Sequence, residues 1–360
     1  MRCLVTGGAG FIGSHLVNRL VDDGHEVIVF DNLSTGKQEN INKKAKLFLI
    51  DVSNESLLES DTMESIISGV DVVFHLAAFP RVEPSIEKPM YSHDINVNGT
   101  LNMLNVCKKF GVKRFVFTSS SAVYGDAEHI PTNEYYLPNP MSPYALNKLI
   151  GEQYCKLFSE LYDIETVCLR YSNAYGEGQP TEGSYCNVMG IFEQQKSKGE
   201  KLTIVGDGEQ RRDFVYVGDI VEANIKAGFN AKIPIFKCKG DVFNIGYGKN
   251  YSVNQIAEWI GGETTNIAPR VEPKETLLDS SKADNIIDWR PTMDLEKWIG
   301  DRMSNKEPVS RKQAEERLKY LKSELAHEGY HDGWTLQGMK EEVEWIEKEL
   351  KRLDEEKNDK

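Results

Sequence analysis

Tyr144 and Lys148 stand four residues apart in the run Tyr144-Ala145-Leu146-Asn147-Lys148. On a helix that spacing sets a phenol and an ammonium on one face. A cation near a phenol favours phenolate, so such a tyrosine can act as a general base nearer neutral pH than its reference pKa of about 10. Upstream, Ser119, Ser120 and Ser121 close a short apolar run, Arg114–Ser120, and strand ends are where an open α/β sheet gathers its reacting groups. A Tyr-x-x-x-Lys spacing alone is an ordinary accident of helical surfaces. It gains chemical meaning from the serines and from a second constellation at the N-terminus.

That second constellation is Met1–Gly13, a short apolar strand running into Gly7, Gly8, Gly10 and Gly13, with Asp31 closing the next strand, Glu26–Asp31. Glycines let a strand-to-helix turn adopt positive φ and bring backbone close to a pyrophosphate. The helix expected over Phe11–Asp22 points its N-terminal amides and positive dipole end at the same phosphates. An acid about 20 residues further on can hydrogen-bond an adenosine ribose diol and repel a 2′-phosphate. The pattern predicts dinucleotide binding, with NAD favoured over NADP.

The elements that must position these groups follow from the apolar pattern. Short β-rich runs at Lys46–Asp51, Val70–Ala77, Arg114–Ser120 and Glu165–Arg170 alternate with helical stretches. Among the latter is Asn96–Phe110, with Leu101, Leu104 and Val106 on its apolar face. This order implies an α/β fold, a doubly wound parallel sheet covered on both faces. Ser142-Pro143 supplies an N-cap and a first-turn proline for a helix from Tyr144 to about Tyr162. Beyond Tyr171 the chain becomes more mixed: a polar loop over 176–183, a helix over Asn187–Lys198, strands at Leu202–Val205 and Phe214–Val217, and a helix over Ser252–Ile260. The expected organisation is a Rossmann domain over 1–171 with returning segments from 214–250, a smaller mixed α/β domain mainly over 172–307, and a C-terminal extension over 308–360.

In that extension Leu318, Leu321 and Leu325 follow one helical face, and Met339, Val343, Ile346, Leu350 and Leu353 repeat at four- and three-residue steps. A break at Glu328–Trp334 makes this a charged helical hairpin with a heptad-like seam. It reads either as a solvated pair lying on its own protein or as a self-association or partner-docking element.

The formal charge of −13 argues against nucleic acid or anionic membrane as a partner. Cys3, Cys107, Cys155, Cys168, Cys186 and Cys238 are scattered, without a Cys-x-x-Cys or paired histidines. They read as buried free thiols in a reducing cytosol, with no metal site. The N-terminus enters a strand at once and no apolar run is long enough for a bilayer. A cytoplasmic enzyme is expected.

At this point the chain resembles the extended short-chain dehydrogenase/reductases, and within them most closely the NAD-dependent UDP-sugar 4-epimerases. The resemblance spans roughly residues 1–300 and is carried by TGGAGFIG (6–13), DNLSTG (31–36), HLAA (75–78), NVNGTLNML (96–104), SSSAVYG (119–125), YALNK (144–148), RYSNAYG (170–176) and RRDFVYVGD (211–219). It implies Ser120, Tyr144 and Lys148 as catalytic residues. For the cofactor it implies Gly7, Gly10, Phe11, Ile12, Gly13, Asp31, Asn32, Ser34 and Gly36 around the turn. It adds Asp51 and Val52 at the adenine, and Leu76, Ala77 and Ala78 along the pyrophosphate and nicotinamide path. Asn96, Ser119 and Tyr171 complete the set, with Lys148 on the nicotinamide ribose. For a UDP-sugar it implies Ser85, Ser120, Ser121, Tyr144, Val188 and Val205, with Asn173 and Asn187 on the diphosphate, Arg212 as its clamp and Arg270 as a second phosphate arginine. Planar, donor-rich guanidinium suits that task.

The implied reaction is redox-neutral inversion at C4 of the sugar through a 4-keto intermediate, in a homodimer. UDP-glucuronate decarboxylases or epimerases are the nearest rivals. A 4,6-dehydratase would carry an Asp-Glu pair before Tyr124-Gly125, where this chain has Ser-Ser-Ala-Val, and a silent NAD-binding scaffold would have lost Tyr144 or Lys148. Two departures stand out. Ser172 replaces a common aromatic, and the hairpin has no counterpart. Three residues before Asp279, where a bulky tyrosine restricts the family's pocket to plain hexoses, stands the small Thr276; both UDP-glucose and UDP-N-acetylglucosamine are therefore expected to fit.

Overall fold

A computed structural model describes residues 1–58, 60–181, 186–229, 239–270 and 272–304, together with 315, 318, 319, 321, 322, 325, 339, 340, 343–348, 350 and 351. The chain forms two compact units, Met1–Leu295 and Glu296–Lys360.

Twelve strands are described: β1 (Arg2–Thr6), β2 (Glu26–Asp31), β3 (Lys46–Leu49), β4 (Val72–His75), β5 (Arg114–Ser120), β6 (Glu165–Tyr171), β7 (Asn173–Tyr175), β8 (Leu202–Val205), β9 (Arg211–Tyr216), β10 (Lys239–Ile245), β11 (Asn250–Ser252) and β12 (Thr264–Ile267). Seven form one sheet in the order β10-β6-β5-β4-β1-β2-β3, and every pairing in it is parallel. The order reverses between β1 and β4, which opens a crevice at their carboxyl ends. A three-stranded sheet, β11-β9-β7, and the pair β12-β8 make up the remainder.

The middles of β1, β2, β4 and β5 are continuous apolar runs because both faces of this sheet are covered. Successive residues feed opposite sides: Val5 and Phe74 join one core with Leu16, Val17, Phe243 and Trp289, whereas Leu4 and Val73 join another with Phe30, Met103, Phe115 and Phe117. The helix Phe11–Asp22 and the strands Glu26–Asp31, Arg114–Ser120 and Leu202–Val205 have the bounds expected from the sequence. Others shift for local reasons. The Asn96–Phe110 stretch opens with a π-helical turn, Asp94–Asn98, before the α-helix Gly99–Phe110. Strand β9 starts at Arg211 rather than Phe214, because Arg211 and Arg212 pair with Ser252 and Tyr251. Val217 belongs to the following helix, Val217–Phe229. Asn187 and Ser252, read as first helical residues, are N-caps whose side chains accept from Gly190 and Gln255 amides.

The helix Pro143–Tyr162 is capped by Ser142 and has Pro143 in its first turn, as its sequence predicts. Gly151 lets it approach the sheet: a Cβ there would lie 2.4 Å from the Phe117 ring. Glu152, one turn beyond Lys148, binds the Arg170 guanidinium through two contacts of 2.8 and 2.6 Å, and both side chains are almost fully buried. Ser119 donates to the same carboxylate, and Arg170 stacks over the Tyr124 ring at 4.6 Å.

Cys3, Cys107, Cys155 and Cys168 are buried and free, in line with the sequence reading; Cys186 is only half-buried, and Cys238 lies outside the described residues. In the second unit Leu321 and Ile346 are buried with Leu318, Met339, Val343, Trp345 and Leu350, and Lys322 pairs with Glu347 at 2.6 Å. The break expected at 328–334 and Leu353 lie outside the described residues. Among the described residues no helix is long and apolar enough to cross a membrane.

The buried pair generates a stability prediction. Arg170→Met leaves the Glu152 carboxylate uncompensated in the interior and should cost about 3–5 kcal/mol, whereas pairing it with Glu152→Met should cost less. Urea unfolding of the three proteins measures both. A single substitution losing under about 1 kcal/mol would show that water or another group reaches Glu152.

Candidate active site

The crevice between β1 and β4 begins at Thr6 and His75. Thr6 Oγ1 lies 2.8 Å from His75 Nδ1 and accepts the Ala77 amide at 3.1 Å. His75 Nε2 lies 3.1 Å from Thr100 Oγ1. These bonds fix how Leu76, Ala77 and Ala78 leave β4.

Of the four N-terminal glycines only Gly7 takes a positive φ, 72°, and a Cβ there would lie 2.7 Å from the Ala77 nitrogen. Gly13 serves close packing instead, since its Cβ would meet the Gly7 carbonyl at 2.1 Å. The helix Phe11–Asp22 starts at Gly10 without a side-chain cap and without an acid in its first turn. The first amides of such a helix, those of Phe11 and Ile12 included, have no partner within the helix, and an end of this kind suits an anion. Asp31 is buried at the end of β2 and accepts from Ala9 N at 2.9 Å and Leu33 N at 2.8 Å, which leaves further carboxylate lone pairs for a diol. Beside it, Asn32 donates to Asp51 at 2.9 Å and accepts the Ser34 amide at 3.0 Å. Lys37 N bonds Ala9 O at 3.1 Å, so the 32–37 segment with Gly36 folds over the turn. Val52 is buried next to Asp51. An uncapped helix end, a glycine cradle and a strand-end carboxylate fit a dinucleotide.

On the other side of the crevice, Ser120 ends β5 and Tyr144 lies in the first turn of the helix Pro143–Tyr162. The Ser120 hydroxyl is a neighbour that favours the charged form of the Tyr144 phenol, and its Oγ accepts the Ala122 amide at 3.2 Å. Lys148 Nζ donates to the Thr118 carbonyl at 2.6 Å and sits 6.0 Å from the Tyr144 ring centroid. The structure thus brings together Ser120, Tyr144 and Lys148, with half-buried Ser121 next in line.

Burial sets the electrostatics of the pair. Burial pushes the Tyr144 phenol up, and the Ser120 bond and the Arg81 guanidinium offset this only in part. The Lys148 ammonium is turned to the Thr118 carbonyl. Burial brings Lys148 itself down to about 8.

Other sequence-predicted residues are engaged within the protein. Asn96 clamps both backbone groups of Phe79 at 2.8 and 3.1 Å. Ser119 faces Glu152. The Tyr171 hydroxyl meets Asn224 at 2.7 Å and Thr118 at 3.3 Å inside the core. Ser85 is fully buried and accepts the Tyr144 amide at 3.1 Å. Asn173 donates to the Asp213 carbonyl at 3.0 Å, and Asn187 to the Ala174 carbonyl at 2.8 Å. Val188 opens the helix after Asn187 and Val205 ends β8, both half-buried. Arg212 pairs with Glu272 at 2.5 Å and Arg270 with Glu83 at 2.8 Å, while Arg211 is tied to Asn250. Thr276 is half-buried, with its amide on the Arg211 carbonyl at 3.0 Å. Ser172 bonds Asp213 at 3.3 Å. That buried carboxyl also accepts Tyr247, Leu278 and Gly248 amides, and burial still raises it to about 7. Among the described residues no cluster could hold a metal.

Sequence reasoning missed Arg81 and the scaffolding role of Asp213. Asp213 was legible as the acid of the Arg-Asp-Phe run. Arg81 carried no pattern at all.

Comparisons with known proteins show the family. Residues 3–246 match the model of the NAD dependent epimerase/dehydratase family. A putative UDP-glucose 4-epimerase of Methanocaldococcus jannaschii is 42% identical over 304 residues, covering 82% of this chain and 95% of its own. The crystal structure of a UDP-glucose 4-epimerase with UDP-glucose from Thermotoga maritima superposes with a TM-score of 0.76 at 38% identity, covering 83% of this chain and 96% of its own. A UDP-N-acetylglucosamine 4-epimerase from Methanobrevibacter ruminantium, in complex with UDP-N-acetylmuramic acid, gives 0.75 at 35% identity over 83% and 96%.

The His75 environment carries a pH prediction. Burial, helped by the Lys148 charge, holds the imidazole down at about 3 against an ordinary 6.5. Between those values the unfolded chain binds the extra proton, so stability falls as pH drops below about 6.5 and levels off near 3. His15, held at about 4 by burial, adds in the same direction. Melting temperature followed against pH should fall less steeply in His75→Asn than in wild type; equal slopes would mean that His75 is already protonated in the folded protein.

Proposed function

Because the chain belongs to the NAD dependent epimerase/dehydratase family, we propose that it interconverts the C4 epimers of a UDP-sugar without net oxidation. The observation that carries this reading is the meeting of Ser120, Tyr144 and Lys148 at the carboxyl edge of the sheet, beside an uncapped helix end suited to pyrophosphate. NAD is the family's cofactor; when bound, it supplies the acceptor and donor of hydride at the sugar's C4.

The chain's own residues do the rest. Phe11, Ile12 and Gly13 amides hold phosphate, Asp31 holds the ribose diol, and Lys148 serves the second ribose. Tyr144 takes the proton from the sugar 4-hydroxyl, and Ser120, on the same phenol, hydrogen-bonds the reacting oxygen. The keto sugar then presents its other face, and Tyr144 returns the proton. Arg212 and Arg270 clamp the diphosphate. Their present partners, Glu272 and Glu83, lie partly exposed and can give way to a doubly charged ligand that matches guanidinium geometry. Thr276 leaves room for a 2-acetamido group, and the resemblance to both UDP-glucose and UDP-N-acetylglucosamine epimerases supports a pocket open to either.

The purified protein should contain NAD and convert UDP-glucose and UDP-N-acetylglucosamine to their C4 epimers with no nucleotide added. Tyr144→Phe should keep the NAD and lose about 10²-fold or more in kcat, the usual worth of a general base. Chromatography of products and of the released cofactor reads both. Carbon dioxide release from UDP-glucuronate, or loss of water from C6, as the main reaction would overturn the epimerase reading. Indifference to UDP-N-acetylglucosamine would overturn the role of Thr276.

A further inference from the structure

His15 sits one turn inside the helix Phe11–Asp22, which starts uncapped at Gly10. Its ring meets the Phe11 ring edge-on, with centroids 5.7 Å apart. Its Nε2 lies 2.9 Å from the backbone carbonyl oxygen of Glu177, 162 residues further along the chain. A carbonyl oxygen can only accept, so Nε2 carries a proton and donates it. Burial holds the imidazole at about 4, so the ring is neutral at working pH and its one N–H proton stays on that nitrogen.

Glu177 stands in a tight turn. Gln179 N bonds Gly176 O at 3.3 Å, and a Cβ at Gly176 would lie 2.2 Å from Val217 Cγ1, so the turn is seated against the start of the helix Val217–Phe229. The Glu177 carboxylate accepts the Tyr216 hydroxyl at 2.8 Å, and Tyr216 closes β9, the strand that carries Arg212. Before the turn runs β7, which starts at Asn173 and pairs with β9. After the turn, the buried Gln179 donates to Glu193 at 3.1 Å and accepts from Asn187 at 3.5 Å. Asn187 also donates back to the Ala174 carbonyl of β7 at 2.8 Å. The segment packs directly on the helix Val188–Ser197, since a Cβ at Gly190 would lie 2.1 Å from the Pro180 carbonyl oxygen. Both asparagines assigned to the diphosphate thus lean on one turn, and His15 grips its backbone from the dinucleotide helix.

We propose that His15 is a positioning residue for the nucleotide sugar: from the cofactor helix its Nε2–H holds the Glu177 carbonyl, and with it the turn between Asn173 and Asn187. This rests on the reading of those asparagines as diphosphate ligands. It deepens that reading, because the UDP side of the site is then set from the cofactor side. The Tyr216 bond ties the turn to its own half of the site, and the His15 bond ties it to the other half. A side chain without a donor at position 15 removes that second tie and leaves Ser120, Tyr144 and Lys148 as they are. Binding of the nucleotide should therefore weaken while the chemical step keeps its rate.

The test is calorimetric titration of UDP into NAD-loaded protein, together with kcat and KM for UDP-glucose. His15→Leu and His15→Ala both remove the donor, the first at similar bulk, while His15→Gln offers an amide N–H close to the place of Nε2. The two donor-free variants should bind UDP about tenfold more weakly, the upper range for one hydrogen bond. Their KM should rise by about the same factor with kcat within about twofold of wild type. His15→Gln should stay within about threefold of wild type in UDP affinity, and all three should keep their NAD. Unmoved UDP affinity in the folded Leu and Ala variants overturns the proposal. An equal loss in His15→Gln overturns it too, since packing rather than the donated proton would then be at work. Loss of NAD from the donor-free variants also overturns it, because His15 would then serve the cofactor helix. If UDP affinity falls as expected while UDP-glucose is not epimerised, the proposed function fails and the role of His15 stands.

Discussion

The buried Glu152–Arg170 pair is the contact on which the geometry of the site depends. Tyr144, Lys148 and Glu152 follow at four-residue steps along one face of the helix Pro143–Tyr162, and each engages a different residue at the end of β5. Lys148 takes the Thr118 carbonyl, Glu152 takes the Ser119 hydroxyl, and Tyr144 meets Ser120. Arg170 on β6 locks the last of the three, Glu152. A buried ion pair of this kind is weak evidence for stability, since a well-packed apolar pair can do as well. Its value here is register: rotation or sliding of the helix would break the two-contact geometry before it could move the phenol from Ser120.

The same burial that gives the helix its register sets an electrostatic problem. It raises the Tyr144 phenol and lowers the Lys148 ammonium, because both charged forms lose water. A proton acceptor in such a place needs positive charge supplied by structure. The Ser120 hydroxyl and the Arg81 guanidinium offset the burial of the phenol in part, and one helix end is left uncapped. An unsatisfied helix terminus, which would be a fault in a scaffold, has a use at the point where the sheet order reverses.

Much of this was legible in the sequence, for identifiable reasons. The strands β1, β2 and β5 are continuous apolar runs ended by glycine, acid or serine, so their bounds follow from burial on both faces. The helix Pro143–Tyr162 carries its own start signal in Ser142-Pro143. Gly7 and Asp31 sit where a nucleotide fingerprint needs them. What escaped depends on contacts remote in sequence. The direction of Lys148 is set by a carbonyl on β5. The positive φ of Arg81 leaves no trace in local composition. Arg212 was read as a clamp ahead of a strand over Phe214–Val217, yet pairing with β11 puts it in the strand itself, and Glu272 holds it.

The central claim is that one bound cofactor takes and returns the same hydride while Tyr144 handles the proton. UDP-glucose deuterated at C4, incubated with the purified protein and no added nucleotide, tests it most directly. The account predicts UDP-galactose with the deuterium still at C4 and none lost to water. Label washed out to solvent, or a labelled product lacking its C6 hydroxyl, would contradict it.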